Sequence, residues 1–327
     1  MSHSVKTTTS DLFWKNRLDH FAARCGYRRS SHHVSPGLYV LGKPRPDSPV
    51  FVTANYTLSF DSLRSSLSGM SAYLLVLDTK GINVWCAAGK GTFGTEELCQ
   101  RIENVELKTV VNHRELIVPQ LGATGIAAHT VRKRTGFKVN FGPVRAEDIP
   151  AYIERGQVTE EMRQVRFGLA ERIPLMPVEL VHGLIPMSIV FVLLYFLTGP
   201  IFAGGIIASS FAGLVLFPLL LPWIPTPNFS TKGFILGGIV TIPFILLLFM
   251  SLPAPSLSVR ILRTVSLLLI SMPVTGFLSL NFTGSTTFTS KSGVKMEFKL
   301  YVPVMVWMLC LGVLSYCFSS FLKYFGA

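Results

Sequence analysis

Two hydrophobic patterns divide this chain. Up to about residue 180, short apolar runs alternate with polar stretches of helical period. Residues 49–53 (Pro-Val-Phe-Val-Thr) and 73–77 (Tyr-Leu-Leu-Val-Leu) predict strands. The second is apolar without interruption, as strands buried on both faces of a parallel sheet are. Further strands are expected at 109–111, 116–118 and 138–141, and helices at 61–67, 95–103, 125–134 and 146–155. This order predicts a doubly wound α/β domain over 49–156, with its ligand beyond the carboxyl ends of the strands. Residues 1–48 read as a basic N-terminal extension and 157–182 as a charged connector.

The pattern then changes. Residues 183–231 hold 49 positions without one charged side chain, and 233–259, 264–290 and 300–322 are also charge-free. One crossing takes about 20 apolar residues. The runs therefore predict five spans, at 183–198, 201–222, 233–252, 264–281 and 303–322, within an all-α domain covering 183–327. Between the last two, Val294, Met296, Phe298, Leu300 and Val302 alternate with polar residues. A period of two predicts a strand, so a β-hairpin is expected at about 285–302. No acid falls within these spans, which argues against a proton-coupled pump.

Charge sharpens the division. The chain carries 30 Lys+Arg and 18 Asp+Glu, yet only Lys232, Arg260, Arg263, Lys291, Lys295, Lys299, Lys323 and Glu297 lie beyond residue 180. The basic balance fits cytoplasmic loops better than nucleic acid, because the longest basic block is Arg132-Lys133-Arg134. The residues before the first span and the loop lysines favour a front domain facing the cytosol, and no apolar leader is expected at 1–21. Five cysteines stand at 25, 86, 99, 310 and 317, none in a Cys-x-x-Cys pair, so no iron–sulfur cluster is expected in this chain. Cys310 and Cys317 share a helix face and read as small apolar fillers.

The chemistry concentrates in residues 81–95, Gly-Ile-Asn-Val-Trp-Cys-Ala-Ala-Gly-Lys-Gly-Thr-Phe-Gly-Thr. A P-loop fails here: Val84 stands where its first glycine belongs, and Gly91 follows Lys90. The spacing Gly89-x-Gly91-x-x-Gly94 matches a dinucleotide fingerprint, but the preceding strand ends eleven residues too early. A cysteine nucleophile would need a partner such as His113 or His129, which nothing in the sequence places. Asn83 is a good helix N-cap. Cys86 then falls in the first helical turn, where the dipole favours a thiolate. The surrounding glycines predict close approach of a planar ligand.

Residues 83–95 resemble the cap-helix signature of the mercury-methylating corrinoid proteins (the HgcA family). The likeness reaches back through Val52-Thr53-Ala54-Asn55-Tyr56 and Leu58-Ser59-Phe60-Asp61, and forward through 120–123 and 141–149. The front domain is also similar to the corrinoid domain of the corrinoid iron–sulfur proteins. The resemblance implies an α/β Rossmann-like corrinoid-binding domain followed by an all-α transmembrane domain of five helices. It implies a base-off cobalamin, with the Cys86 sulfur as lower axial ligand of cobalt. Asn83, Val84, Trp85, Ala87, Ala88, Gly89 and Lys90 would shape the cap, and Thr53 and Ala146 would line the pocket.

On that resemblance the activity is transfer of a methyl group from cobalt to Hg(II), forming methylmercury. An electron-rich sulfur opposite the methyl makes it more carbanion-like, which an electrophilic metal ion needs. The implied partners are a ferredoxin-like protein with two [4Fe-4S] clusters as reductant and a methyl donor from the folate-linked one-carbon pathway. The implied location is the inner membrane. Two other readings stay open: a corrinoid methyl carrier of one-carbon metabolism, and a membrane transporter or sensor with a nucleotide-binding domain.

Overall fold

The computed structural model describes residues 5–28, 31–251, 256–282 and 291–325. The chain divides into two compact units, 1–166 and 167–327.

The first unit is built on one six-stranded sheet. Its strands are β1 (Lys6–Thr8), β2 (Gly37–Leu41), β3 (Val50–Ala54), β4 (Ala72–Leu77), β5 (Glu115–Pro119) and β6 (Lys138–Gly142). The spatial order is β1-β2-β4-β3-β5-β6. All neighbours run parallel except β2 and β4, which pair antiparallel from Gly37 opposite Val76 to Leu41 opposite Ala72. The helices are α1 (Trp14–Arg24), α2 (Thr57–Ser66), α3 (Val84–Lys90), α4 (Thr95–Asn104), α5 (Leu107–Val110), α6 (Ala128–Thr135) and α7 (Ile149–Arg155).

β3 and β4 are buried at every position, as their unbroken apolar sequence predicts. Successive side chains serve opposite faces. Val52, Ala54, Leu75 and Leu77 join the core beneath α3, α4 and α6, while Phe51, Leu74 and Val76 pack with Phe60 and Leu63 of α2. Two expectations change here. Residues 109–111 are not a strand: most of this run belongs to α5, whose Leu107 turns into the core. The stretch 1–48 is no separate extension either, because β1 and β2 extend the same sheet past β4.

The second unit is helical: α8 (Leu169–Arg172), α9 (Met176–Thr198), α10 (Pro200–Phe211), α11 (Phe217–Leu220), α12 (Phe229–Ser251), α13 (Leu257–Asn281) and α14 (Lys291–Phe325). One wider turn at Ala212–Leu216 joins α10 to α11. Five segments are long and apolar enough to cross a membrane: Leu169–Thr198, Pro200–Leu220, Phe229–Met250, Leu257–Asn281 and Ser292–Phe325. Their mutual contacts use small and hydroxylated residues, as helix packing in lipid does. A Cβ on Gly233 would stand 2.6 Å from Gly276 Cα. Thr275 Oγ1 donates to the Ser209 carbonyl at 2.8 Å, and Ser266 Oγ to the Gly312 carbonyl at 2.7 Å.

The expected β-hairpin is overturned where it is described. Residues 291–302 are the first turns of α14, and 285–290 lie outside the described residues. Met296 and Leu300 point outward, and the acid between them, Glu297, is buried. Its carboxylate accepts from the backbone N–H groups of Phe229 and Ser230 (3.2 and 3.1 Å) and from Ser230 Oγ (3.1 Å). Those N–H groups open α12 and have no partner within the helix. An acid therefore does lie on an apolar helix, as a cap for its neighbour.

Candidate functional site: a capped cleft at the carboxyl ends of the strands

The carboxyl ends of β3, β5 and β6 open onto one cleft of about 410 Å³. Thr53, Tyr56, Ser59 and Ser62 line one side, Pro119, Leu121, Val144 and Ala146 another, and Asn83, Val84 and Trp85 the rim. Among the described residues, no charged side chain lines it. The volume suits a nucleotide-sized group. A few hydroxyls set in an apolar wall suit an uncharged heterocycle.

The rim is the short helix α3. Asn83 stands outside it in extended conformation, and its Oδ1 accepts from the Cys86 N–H at 2.9 Å. This is the N-cap expected from sequence, with Val84, Trp85 and Cys86 as the first three helical residues. Gly91 ends the helix with φ 82°, a conformation that favours glycine. The glycine there serves the turn into α4 rather than a ligand.

Cys86 is exposed, and Trp85 beside it is 42 % exposed. Ala87 and Ala88 face the other way and are buried in the core with Val84 and Phe93. Gly89 and Lys90 are exposed on the helix. Of the residues expected at the site, Thr53, Asn83, Val84, Trp85 and Ala146 meet at the cleft. Cys86 stands next to its rim. Ala87 and Ala88 seat the helix, and Gly89 and Lys90 are not among the cleft residues.

Two supports escaped the sequence reading. The first is Asn55, buried just after β3. Its Oδ1 accepts from the N–H groups of Thr79 (3.1 Å) and Gly81 (3.0 Å), and its Nδ2 donates to Asp78 Oδ1 at 3.3 Å. These contacts pin the loop from β4 to α3, where Lys80 and Gly81 both have positive φ, 59° and 69°. Burial pushes the Asp78 carboxyl up, but hydrogen bonds from Lys80 outweigh it and hold the group below its ordinary value. The second support is Gly125. A Cβ there would stand 2.2 Å from the Phe93 carbonyl oxygen and 3.1 Å from Ala88 Cα. The backbone before α6 thus lies directly under the cap helix. An asparagine closing a buried strand was a signal for the first; nothing local marks the second.

Another cluster lies behind the cleft wall. Buried Asp61 of α2 accepts from His20 Nε2 (2.8 Å) and Arg64 Nε (2.6 Å). Burial raises its carboxyl, but these hydrogen bonds outweigh that and hold it below its ordinary value. His32 Nδ1 lies 2.8 Å from Asp19 Oδ1 and its Nε2 2.6 Å from the Tyr27 carbonyl oxygen. Both ring nitrogens thus face acceptors, an arrangement that favours imidazolium. Burial pulls the His32 pKa down, and these two acceptors carry it above its ordinary value.

Comparison with known proteins places this cleft in context. Residues 27–153 match the family described as CO dehydrogenase/acetyl-CoA synthase delta subunit. The gamma subunit of the acetyl-CoA decarbonylase/synthase complex of Archaeoglobus fulgidus is 34 % identical over 135 residues, covering 41 % of this chain and 28 % of its own length. That of Methanopyrus kandleri is 33 % identical over 129 residues, 39 % of this chain and 28 % of its own. The gamma 1 subunit of Methanosarcina thermophila is 34 % identical over 131 residues, again 39 % and 28 %. The chain thus spans little more than a quarter of these relatives. The matched part is the sheet domain, and it is related to the corrinoid iron–sulfur proteins.

Proposed function

We propose that the sheet domain is a corrinoid-binding methyl-transfer module in which the Cys86 sulfur would hold the cobalt. The observation that carries this is the placing of Cys86: exposed in the first turn of a helix whose preceding residues rim an uncharged cleft. A bound corrinoid supplies a cobalt centre able to take up and hand on a methyl group. The residues present fit such a group. The cleft would accept its nucleotide tail, Asn83 fixes the turn that would present the ligating sulfur, and Trp85 lines the cleft edge. Asn55, Phe93 and Gly125 hold that helix in place.

The comparisons favour a methyl carrier of one-carbon chemistry over mercury methylation, since the relatives are named for acetyl-CoA decarbonylase/synthase complexes. One observation favours the second reading, with Hg(II) as methyl acceptor: the residue exposed in the first turn of the rim helix is a cysteine. A sulfur ligand donates electron density through the metal, and an electrophilic metal ion needs the methyl group with its bonding electrons. In either role the reductant proposed is a ferredoxin-like protein with two [4Fe-4S] clusters, and the methyl donor comes from the folate-linked pathway. The five apolar helices would hold the domain at the inner membrane.

A transfer assay tests both. Anaerobically purified full-length chain, loaded with methylcobalamin, is given Hg(II) or a thiol acceptor. The mercury reading expects methylmercury from the wild-type chain and its loss in Cys86→Ala and Cys86→Thr, with corrinoid still bound. Transfer to mercury unchanged in Cys86→Thr overturns the role of the sulfur. Transfer to the thiol alone leaves the carrier reading.

A further inference from the structure

Helix α1 is amphipathic in the wrong direction for a helix packed on a globular core. At about 100° per residue, Trp14, Leu18, Phe21 and Cys25 fall within roughly 60° of one another. Asp19, His20 and Ala23 fall on the opposite side. In the structure the polar side faces inward: His20 bonds buried Asp61, and Asp19 bonds buried His32. Arg64 fixes the entry to the helix by donating to the carbonyls of Thr9 and Asp11 (2.6 and 2.7 Å). No residue of α1 is fully buried.

The apolar stripe is therefore held outward. Trp14 is 65 % exposed, Leu18 56 % and Phe21 66 %, with Phe13 and Tyr27 exposed at the two ends. Cations flank the stripe. Arg17 and Arg24 lie along one side, Lys15 along the other and Arg28 beyond the end. Lys15 Nζ sits 5.9 Å from the Trp14 ring and the Arg28 guanidinium 5.3 Å from the Tyr27 ring. Aromatic and aliphatic groups that enter the acyl boundary, with cations at headgroup level, are the composition of a helix lying in a bilayer surface.

We propose that α1 is a membrane-surface anchor that lays Trp14, Leu18 and Phe21 into an anionic lipid leaflet. The charge pattern selects lipid over an apolar protein groove, because cations border the stripe on both sides and the one acid of the helix, Asp19, is turned to His32. Five helices apolar enough to cross a membrane bring such a surface within reach of the same chain. The inward hydrogen bonds of His20 and Asp19 give the helix its fixed outward face, so it need not fold on binding. This proposal is independent of the corrinoid reading.

The test uses the full-length chain in nanodiscs, with the photo-reactive residue benzoylphenylalanine replacing Leu18. In phosphatidylglycerol discs, irradiation should give a mass increase of one lipid on the peptide that carries α1. The yield should fall about fivefold or more in phosphatidylcholine discs, and likewise in an Arg17→Glu/Arg24→Glu background, since one cation near an anionic surface contributes roughly that factor. Circular dichroism and α1 amide protection of that background identify an intact fold. Adducts to protein, whether this chain or a co-purifying one, overturn the proposal. So does a lipid yield that ignores headgroup charge.

Discussion

Removing the Asn55 side chain should free the cap helix without touching it. In Asn55→Ala, two backbone donors, the buried N–H of Thr79 and the part-buried N–H of Gly81, lose the oxygen they share at 3.1 and 3.0 Å. The Thr79 hydroxyl is less affected, since it also lies 2.7 Å from the Ile82 carbonyl and has one proton to give. A buried donor left without an acceptor costs about 1–3 kcal/mol. Allowing for partial replacement by water, the loop should lose roughly 3 kcal/mol of protection, which is about a hundredfold in local opening. Lys80 holds positive φ in the same loop, which a non-glycine residue adopts at a cost, so relaxation is favoured once the oxygen goes. Hydrogen exchange of the full-length chain, read by mass spectrometry on peptides covering 78–90, is the assay. Exchange should accelerate there and stay unchanged in β4. Asn55→Asp keeps an accepting oxygen but sets a second carboxylate against Asp78, so its defect should shrink as pH falls. Wild-type exchange at Thr79 and Gly81 in Asn55→Ala would refute the reasoning.

The remaining predictions concern neighbouring supports. Gly125→Ala drives a methyl group into the Phe93 carbonyl and Ala88, an overpacking of about 1–3 kcal/mol. Its thermal midpoint in detergent should fall by roughly 2–4 °C per kcal/mol; an unchanged midpoint contradicts the close approach. His32 has its folded pKa above the ordinary 6.5, so its contribution is fully present below 6.5 and is lost as pH rises through the folded value. Amide protection of α1, corrected for intrinsic exchange, should therefore decline above about pH 6.5. That decline should be absent in His32→Gln, and a wild-type pH profile in this variant would remove His32 from the account.

Much of the sheet was legible because β3 and β4 are short runs apolar at nearly every position, the pattern of strands covered on both faces. The N-cap at Asn83 was legible because capping is local. Long-range contacts were not. Asn55 acts on residues 24 and 26 positions away, and Gly125 matters only because Phe93 and Ala88 come to lie against it. The alternation at 294–302 misled for a physical reason. Period two signals a strand when one face meets water, but on α14 the apolar Met296 and Leu300 point outward and Glu297 is inside. The helix can bury its acid because α12 offers unpaired N–H groups to it. The face of α1 inverts the usual rule in the same way, and only the partners of His20 and Asp19 reveal it.

The proposal that the Cys86 sulfur would hold the cobalt of a bound corrinoid is tested most directly by the visible spectrum of the full-length chain purified without oxygen, with cobalt measured on the same sample. The account predicts stoichiometric cobalt, a base-off corrinoid spectrum in the wild-type chain, and a displaced absorption in Cys86→Ala with cobalt retained. A wild-type chain free of cobalt, or identical spectra in the two proteins, would contradict it.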